Sequence, residues 1–434
     1  MGHRIVIVGG GAGGVELATR LGRSLGKQGR AEVTLVDLHL THVWKPLLHE
    51  VAAGSLDSSE NDLNYLDQGK RNGFSFQLGR MCGLDRKGKR LLLGPALDEE
   101  GRELVPARAL SYDTLVIAIG SETNDFGTPG TAEHCTFLDD REQAEGFHRQ
   151  LLGRYLRAHA CDDGQRDGMV GVAIVGAGAT GVELAAELRH AASEMAAYGL
   201  DEIRPENMRI SLVEAGPRIL PPLPERVARA AHDKLVRLGV DVRTGSTVEE
   251  VRADGLQIKD GDFVPAALKV WAAGIRAPAL LKDLDGLESN GKGQLVVERT
   301  LQTTRDPDIF AMGDCAACPL GEEGDKTVPP RAQAAHQQAS MLVRSMKARI
   351  QGGELPRFTY RDHGSLVSLS SYSAVGNLMG NLGSDVKLEG WLARMFYASL
   401  YRQHQLALHG FLRTGLLVLS DQLGRSTEPR LKMH

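Results

Sequence analysis

Cysteine is scarce in this chain: five residues (Cys82, Cys135, Cys161, Cys315 and Cys318), an odd number. No disulfide scaffold is implied, and a reducing compartment is expected. Charge of one sign is also lacking, and a net charge of −4 gives no electrostatic case for nucleic acid as a partner. No uninterrupted apolar stretch reaches the ~18 residues of a spanning helix, so any contact with a bilayer must come from the side. The first residues, Met-Gly-His-Arg, run straight into a strand pattern without a secretory apolar region. They also lack the Ser/Thr of a myristoylation signal.

What is present is glycine, at 51 of 434 positions, well above the usual ~7%. Many of these glycines fall in short turns after apolar runs, where backbone must approach something closely. Hydrophobic residues at 42% and charged residues at 24% suit a globular protein with a large core. The length suggests two or three domains.

Two segments carry the chemistry. In Arg4-Ile-Val-Ile-Val-Gly-Gly-Gly-Ala-Gly-Gly-Val-Glu-Leu-Ala, a strand-type run meets Gly9-x-Gly11-x-x-Gly14 and a helical pattern follows. Gly9 permits the tight turn, Gly11 lets backbone approach a pyrophosphate, and Gly14 allows close helix–strand packing. The helix start offers unpaired N–H groups and the positive end of its dipole to phosphates. A second strand, Glu32-Val-Thr-Leu-Val-Asp37, ends in an acid close to the spacing of a ribose-binding carboxylate. A bare glycine turn in an unrelated α/β protein is the alternative.

The pattern recurs in Val172-Ala-Ile-Val-Gly-Ala-Gly-Ala-Thr-Gly-Val-Glu-Leu-Ala, with Gly176, Gly178 and Gly181, and Ile210-Ser-Leu-Val-Glu214 again ends in an acid. The longer gap before Glu214 reads as an extended helix plus a polar loop over 190–207. Glu214 can accept from both ribose hydroxyls but would repel a 2′-phosphate, which favours NADH over NADPH. Two such units usually divide the labour, one holding FAD permanently and the other admitting a nicotinamide. Tyr112-Asp-Thr-Leu-Val-Ile-Ala-Ile-Gly120 and Ile309-Phe-Ala-Met-Gly-Asp314 read as further strands of an FAD unit, and the latter lies beyond the second glycine turn. The expected FAD domain is therefore discontinuous, residues 1–125 and 290–385, with an NADH domain inserted at 126–289. Lys269-Val-Trp-Ala-Ala-Gly274 reads as the return strand of the insert, with its small residues near the nicotinamide.

The segments His42-Val-Trp-Lys-Pro-Leu-Leu-His-Glu-Val-Ala-Ala-Gly54, Thr123-Asn-Asp-Phe, Trp271-Ala-Ala-Gly-Ile and Arg331-Ala-Gln-Ala-Ala-His-Gln337 resemble bacterial type II NADH dehydrogenase, over essentially the whole chain and very close to the enterobacterial respiratory form. The resemblance implies an α/β fold with two Rossmann-like dinucleotide-binding domains. It also implies bound FAD, NADH as donor, a membrane quinone as acceptor and no proton pumping. Gly9, Gly11, Gly14, Asp37, Lys45, Gly120 and Asp314 fall on FAD positions. Gly176, Gly178, Gly181, Glu183 and Glu214 fall on NADH positions, with Gly274 beside them. Glu183 faces the nicotinamide in that reading, and is an ordinary helix-start acid in the other. Gln333 and Gln337 match the quinone-site motif and, four apart, share one helix face. Their neutral amides can hydrogen-bond quinone carbonyls. His49, Glu50 and His336 are the candidates for proton donors. The segment Gly364-Ser-Leu-Val-Ser-Leu-Ser-Ser departs from many relatives, which carry a basic residue there.

The expected membrane-associating segment is 386–434. Trp391, Leu392, Met395, Phe396 and Leu400 form one apolar stripe, and Leu408, Phe411, Leu412, Leu416 and Leu419 another. Arginines interleave with both, as in helices lying in a membrane interface. Packing on the protein's own domain or on a second subunit is the alternative, and a homodimer stays open. Tyr401-Arg-Gln-His-Gln405 is polar and expected to break the two helices; Lys387, just before them, is placed at the quinone entrance. The implied location is the cytoplasmic side of the bacterial inner membrane, peripheral or monotopic.

Three other functions compete. Cys315-Ala-Ala-Cys318 could serve a disulfide reductase, although its place directly after Asp314 favours ordinary thiols; a soft-metal site is a minor option, and no metal is expected. A sulfide:quinone oxidoreductase would need reactive cysteines near the flavin. A flavin-binding interaction module without turnover is the third.

Overall fold

A computed structural model describes residues 2–57, 62–98, 100–160, 170–198, 208–321, 326–369, 373–378, 386–389 and 401–424. The unbroken apolar runs become central strands buried on both faces, as parallel sheets require. His3–Val8 is a central strand of a six-stranded sheet, flanked by Ala31–Asp37 and Thr114–Ile117. Ser75–Leu78 lies beyond the former and Asp306–Ala311 beyond the latter. All five are parallel; only the edge strand Gln302–Thr303 is antiparallel. The pairing of Val116 with Phe310 closes the discontinuous domain, because it seats the late strand beside the early ones. Helices Ala12–Leu21 and Ala332–Gln351 pack against each other over this sheet.

The second sheet is parallel throughout, in the order Val240–Arg243, Arg209–Val213, Gly171–Val175, Leu268–Trp271. The expected return strand is thus in place, with Ile174 between Leu212 and Val270. A three-stranded antiparallel sheet, Val248–Arg252, Gly255–Ile258 and Phe263–Pro265, packs Val251, Leu256 and Val264 with Trp271.

The division between the two units differs from the expected boundaries. Ala277, Leu281, Leu284 and Leu287 are buried in the first core, so the chain rejoins it before residue 290. A two-stranded ribbon, Glu122–Thr123 with Ile275–Arg276, marks both crossings. Helix Leu48–Ala53, early in the chain, buries Leu48, Val51, Ala52 and Ala53 in the second core, against helices Arg141–Ala160 and Ala179–Ala197. Val367 and Leu369 join that second core as well, so strand Ser365–Leu369 belongs with it and not with the first domain. This strand pairs with Ser373–Leu378, which pairs with Val386–Glu389.

Lys387 sits in a strand, opposite Asn377. The stripe from Trp391 to Leu400 lies outside the described residues. Residues 401–409 are helical, which corrects the expected break at Tyr401–Gln405. Polarity there serves a protein contact: His404, Gln405 and Leu408 are buried. Arg23 donates to the carbonyls of Ala407 and Leu408, and Gln68 donates to Leu408. Gly410, at φ +78°, ends this helix and starts Phe411–Gly424. That last helix is different: Phe411 is 84% exposed and Leu412 83%, with Leu416 and Leu419 also in solvent. Among the described residues, no helix is long and apolar enough to cross a membrane.

Candidate functional site

The two glycine turns are built alike. Gly9 has φ +100° and Gly176 φ +98°, a region that favours glycine. A Cβ on Gly9 would lie 2.3 Å from the Ala118 carbonyl oxygen, and one on Gly176 2.6 Å from the Ala273 Cα. Gly14 and Gly181 pack where a Cβ would come within 1.8 and 1.9 Å of the Gly9 and Gly176 oxygens. By contrast, nothing stands within 4 Å of a Cβ on Gly11 or Gly178. These middle glycines begin their helices facing open space, where the free N–H groups of a helix start can meet a pyrophosphate.

Each turn has its carboxylate. Asp37 accepts from the Gly10 N–H at 2.6 Å and from the His39 N–H at 2.9 Å. Glu214 accepts from Ala177 N–H at 2.8 Å and Gly216 N–H at 2.7 Å. Both acids are fixed by backbone on one side, which leaves their remaining lone pairs for a ribose diol. The cradles fit dinucleotides in shape and in donor chemistry.

Around the first turn, Asp314 is held by two residues that the sequence did not single out. Ser121 Oγ donates to its carboxylate at 2.9 Å, and Gln294 Nε2 donates to its backbone carbonyl at 2.9 Å. Burial pushes the Asp314 carboxyl up, opposed by the Ser121 hydrogen bond and by the charge of Lys45. Gly120 has φ +74° and faces open space, so its strand end is also accessible. Gln338, fully buried, accepts from the Gly313 N–H at 2.7 Å and fixes the Gly-Asp turn. Its place beside the two motif glutamines was the available signal. Tyr65 donates to the Gly10 carbonyl at 2.8 Å; no local pattern marked it.

The segment from Trp44 to Ala53 joins both units, with Lys45 near Asp314 and His49 carried to the second helix. His49 Nδ1 lies 3.7 Å from Glu183 Oε2, both side chains being buried. Burial lowers the imidazole to about 4, against the pull of Glu187 and of the Pro46 carbonyl. Burial thus favours the neutral form of His49. Gly274 has φ +71°, and a Cβ there would strike the Phe126 ring at 2.6 Å. It thus sits against the loop after the first crossing, where Trp271 donates to the Asn124 carbonyl.

Gln333 and Gln337 do share a face of helix Ala332–Gln351, but their amides are engaged. Gln337 exchanges both bonds with the backbone of Arg361, at 2.8 and 3.0 Å. Gln333 bonds Asp362, the Gly364 carbonyl and the His363 N–H. They clamp the segment 361–364, and only an amide's remaining capacity is left for a ligand. Lys387 is described only as part of its strand.

Cys315 and Cys318 are buried in the first core, where burial raises their thiols to about 11 and about 12. Neither is poised as the thiolate that disulfide or sulfide chemistry requires. Among the described residues, no group of three or more His, Cys, Asp or Glu could hold a metal ion.

Comparison with known proteins agrees with this geometry. Residues 3–339 match the family model described as pyridine nucleotide-disulphide oxidoreductase. The chain is 47% identical to a type II NADH:quinone oxidoreductase of Haemophilus influenzae, over 99% of each chain. It is 28% identical to one of Mycobacterium tuberculosis, covering 92% of this chain and 83% of that one. The solved NDH2 of Plasmodium falciparum, in complex with NADH, shares the fold at TM-score 0.81 and 20% identity, covering 94% of this chain and 97% of the other. This chain belongs to the pyridine nucleotide-disulphide oxidoreductases and, within them, to the type II NADH:quinone oxidoreductase family.

Proposed function

We propose that the chain is a respiratory NADH:quinone oxidoreductase that holds FAD in its first domain, admits NADH to its second and gives electrons to a quinone without pumping protons. One observation carries the reading: two open glycine turns, each closed by a backbone-held carboxylate, stand in one chain bridged by residues 44–53. Gly9, Gly11, Gly14 and Asp37 would hold the adenosine half of FAD, with Lys45, Gly120 and Asp314 toward the flavin. Gly176, Gly178, Gly181 and Glu214 would hold NADH, with Glu183 and Gly274 beside the nicotinamide. Bound FAD supplies the redox chemistry, taking hydride from NADH and passing two electrons on.

The protein's own part is alignment. Asp37 and Glu214 fix the two riboses, and the helix starts at Gly11 and Gly178 stabilise the pyrophosphates. Glu214 disfavours a 2′-phosphate, so NADPH is a poor donor. Gln333 and Gln337 hold the segment 361–364 at the edge of the quinone site, and Lys387 would lie toward its mouth. The exposed apolar residues of Phe411–Gly424 fit a helix resting in the headgroup region of the cytoplasmic side of the inner membrane, as a peripheral protein. A homodimer is compatible with this placement.

Steady-state assay of the purified protein tests the reading. NADH oxidation should depend on an added water-soluble quinone analogue and proceed far more slowly with NADPH. Quinone-independent oxidation, or equal use of both nucleotides, would refute it.

A further inference from the structure

Glu16 follows Gly14 by the same step as Glu183 follows Gly181, yet its surroundings are different. Its side chain is 0% exposed, a costly place for a carboxylate without partners. Its partners come from two directions. His336 Nδ1 lies 2.6 Å from one carboxylate oxygen, and Arg20 donates to the other at 2.8 Å. Arg20 also donates to Ser340 Oγ at 2.5 Å, one turn along from His336. This buried acid thus reaches across from the helix of the first glycine turn to the helix that carries Gln333 and Gln337. One residue before His336, Ala335 packs where a Cβ on Gly13 would fall, and His336 itself stands between Gln333 and Gln337 on the same helix. The His336 side chain is 41% exposed, which gives it a route to solvent.

We propose that Glu16 and His336 form a carboxylate–imidazole relay that delivers the proton consumed in quinone reduction. The inference rests on the quinone reading above. The overall reaction is NADH + H⁺ + quinone → NAD⁺ + quinol. Two electrons and one hydrogen come from NADH as hydride, so one further proton must enter from water. His336 takes that proton from solvent and releases it to a quinone oxygen, and the new O–H bond completes the quinol. The Glu16 side chain accepts from Nδ1–H, which fixes the tautomer and leaves Nε2 as the nitrogen that exchanges protons. Glu16 is a positioning residue, since it acts through the imidazole.

The charged and titratable groups around His336 are consistent with this role. Glu16 and Arg20 face it from the first helix, and His404 interacts with it from helix 401–409. Burial and neighbouring imidazoles hold His404 well below its ordinary value, which disfavours a proton there. Asp362 and Arg331 pair with each other, and Gln333 donates to Asp362. His49, the other imidazole beside a glycine-turn glutamate, is buried, which favours its neutral form.

The test uses the full-length, FAD-loaded protein. Its flavin is first reduced with one equivalent of NADH, and reoxidation by a water-soluble quinone is followed by stopped flow across pH. With wild type, reoxidation should fall about tenfold per pH unit on the alkaline side, as a general acid requires. In His336→Asn the side-chain amide can still donate to Glu16 but cannot relay a proton. Reoxidation should then drop roughly 100-fold or more and lose that alkaline limb. Glu16→Gln should slow it less, and ¹⁵N NMR of the resting protein should show the His336 Nδ1–H tautomer giving way to a mixture. Ser340→Ala removes a helix-to-helix hydrogen bond without touching the imidazole, and should keep the wild-type pH profile. If His336→Asn keeps the wild-type rate and profile, or if Ser340→Ala changes the profile as much, the network is only a staple between helices and the relay is wrong. If wild type itself is bleached by NADH but not recoloured by quinone, the quinone reading falls first and the relay falls with it.

Discussion

The two glycine turns have nearly the same backbone and hydrogen bonds, but they are packed differently, and under the proposed function that packing would distinguish a retained cofactor from a passing one. In the first, Gly13 is buried against Met312 and Ala335, and Glu16 is locked to His336 and Arg20. In the second, the matching residues Ala179 and Thr180 are exposed, and Glu183 meets the buried His49 imidazole at 3.7 Å. The first helix start is sandwiched by another helix and cannot open without breaking the core. A permanently held dinucleotide suits the first environment and an exchanging one the second.

Adding one methyl group to the first turn should break this difference most severely. Gly14→Ala places a Cβ 1.8 Å from the Gly9 oxygen. Overpacking of this kind costs about 1–3 kcal/mol, and here it also distorts the cradle. The variant should purify without flavin, as read from its visible spectrum.

Truncation at two places sharpens the contrast between the two C-terminal helices. Removing residues 411–434 deletes the exposed apolar helix but spares the docked helix 401–409. That protein should keep its flavin, reduce a soluble dye with NADH and leave the membrane fraction. Removing everything from Leu388 also deletes His404, which lies 3.0 Å from His42, and Leu408 from the first core. Burial of Leu408 alone contributes about 1.5–3 kcal/mol, so flavin retention and melting temperature should both fall. If the shorter deletion still sediments with membranes, the anchor lies elsewhere.

A subtler change concerns which nucleotide the second turn admits. Glu214→Ala removes a charge-assisted contact worth about 1.5–3 kcal/mol, so the preference for NADH over NADPH should narrow roughly 10- to 150-fold. Equal losses with both nucleotides would show that Glu214 only shapes the turn. The smallest effect is expected at the quinone motif. Gln337→Ala frees the Arg361 backbone at about 0.5–1.5 kcal/mol, and quinone use should weaken roughly 2- to 10-fold, measured as kcat/KM for the quinone analogue.

Much of this site was readable in the sequence because its parts are local. A glycine spacing, the strand before it and the acid that ends the next strand all lie within a single βαβ unit, where backbone sterics dictate residue type. Asp37 and Glu214, each bonded to its own glycine turn, stand out in the sequence for that reason. Long-range partners left no such mark. Gln338, which fixes Gly313, looks like any helical glutamine until the chain returns to the first sheet. Polarity at Tyr401–Gln405 suggested a helix break, whereas His404 and Gln405 are polar groups buried in a protein contact. The domain boundary was misplaced because residues 277–287 carry their apolar side chains in loops and a short 3₁₀ turn, without periodicity to show which core they join.

The central claim is that the second turn handles only the nucleotide that comes and goes, and one measurement addresses it directly. In Gly181→Ala a Cβ would lie 1.9 Å from the Gly176 oxygen, the counterpart of the change at Gly14. The purified variant is mixed anaerobically with NADH, and bleaching of its flavin is followed by stopped flow. The account predicts a full flavin spectrum with bleaching slowed roughly 5- to 150-fold, the equivalent of about 1–3 kcal/mol, and unaltered reoxidation by quinone. A colourless protein, or one bleached at the wild-type rate, would contradict it.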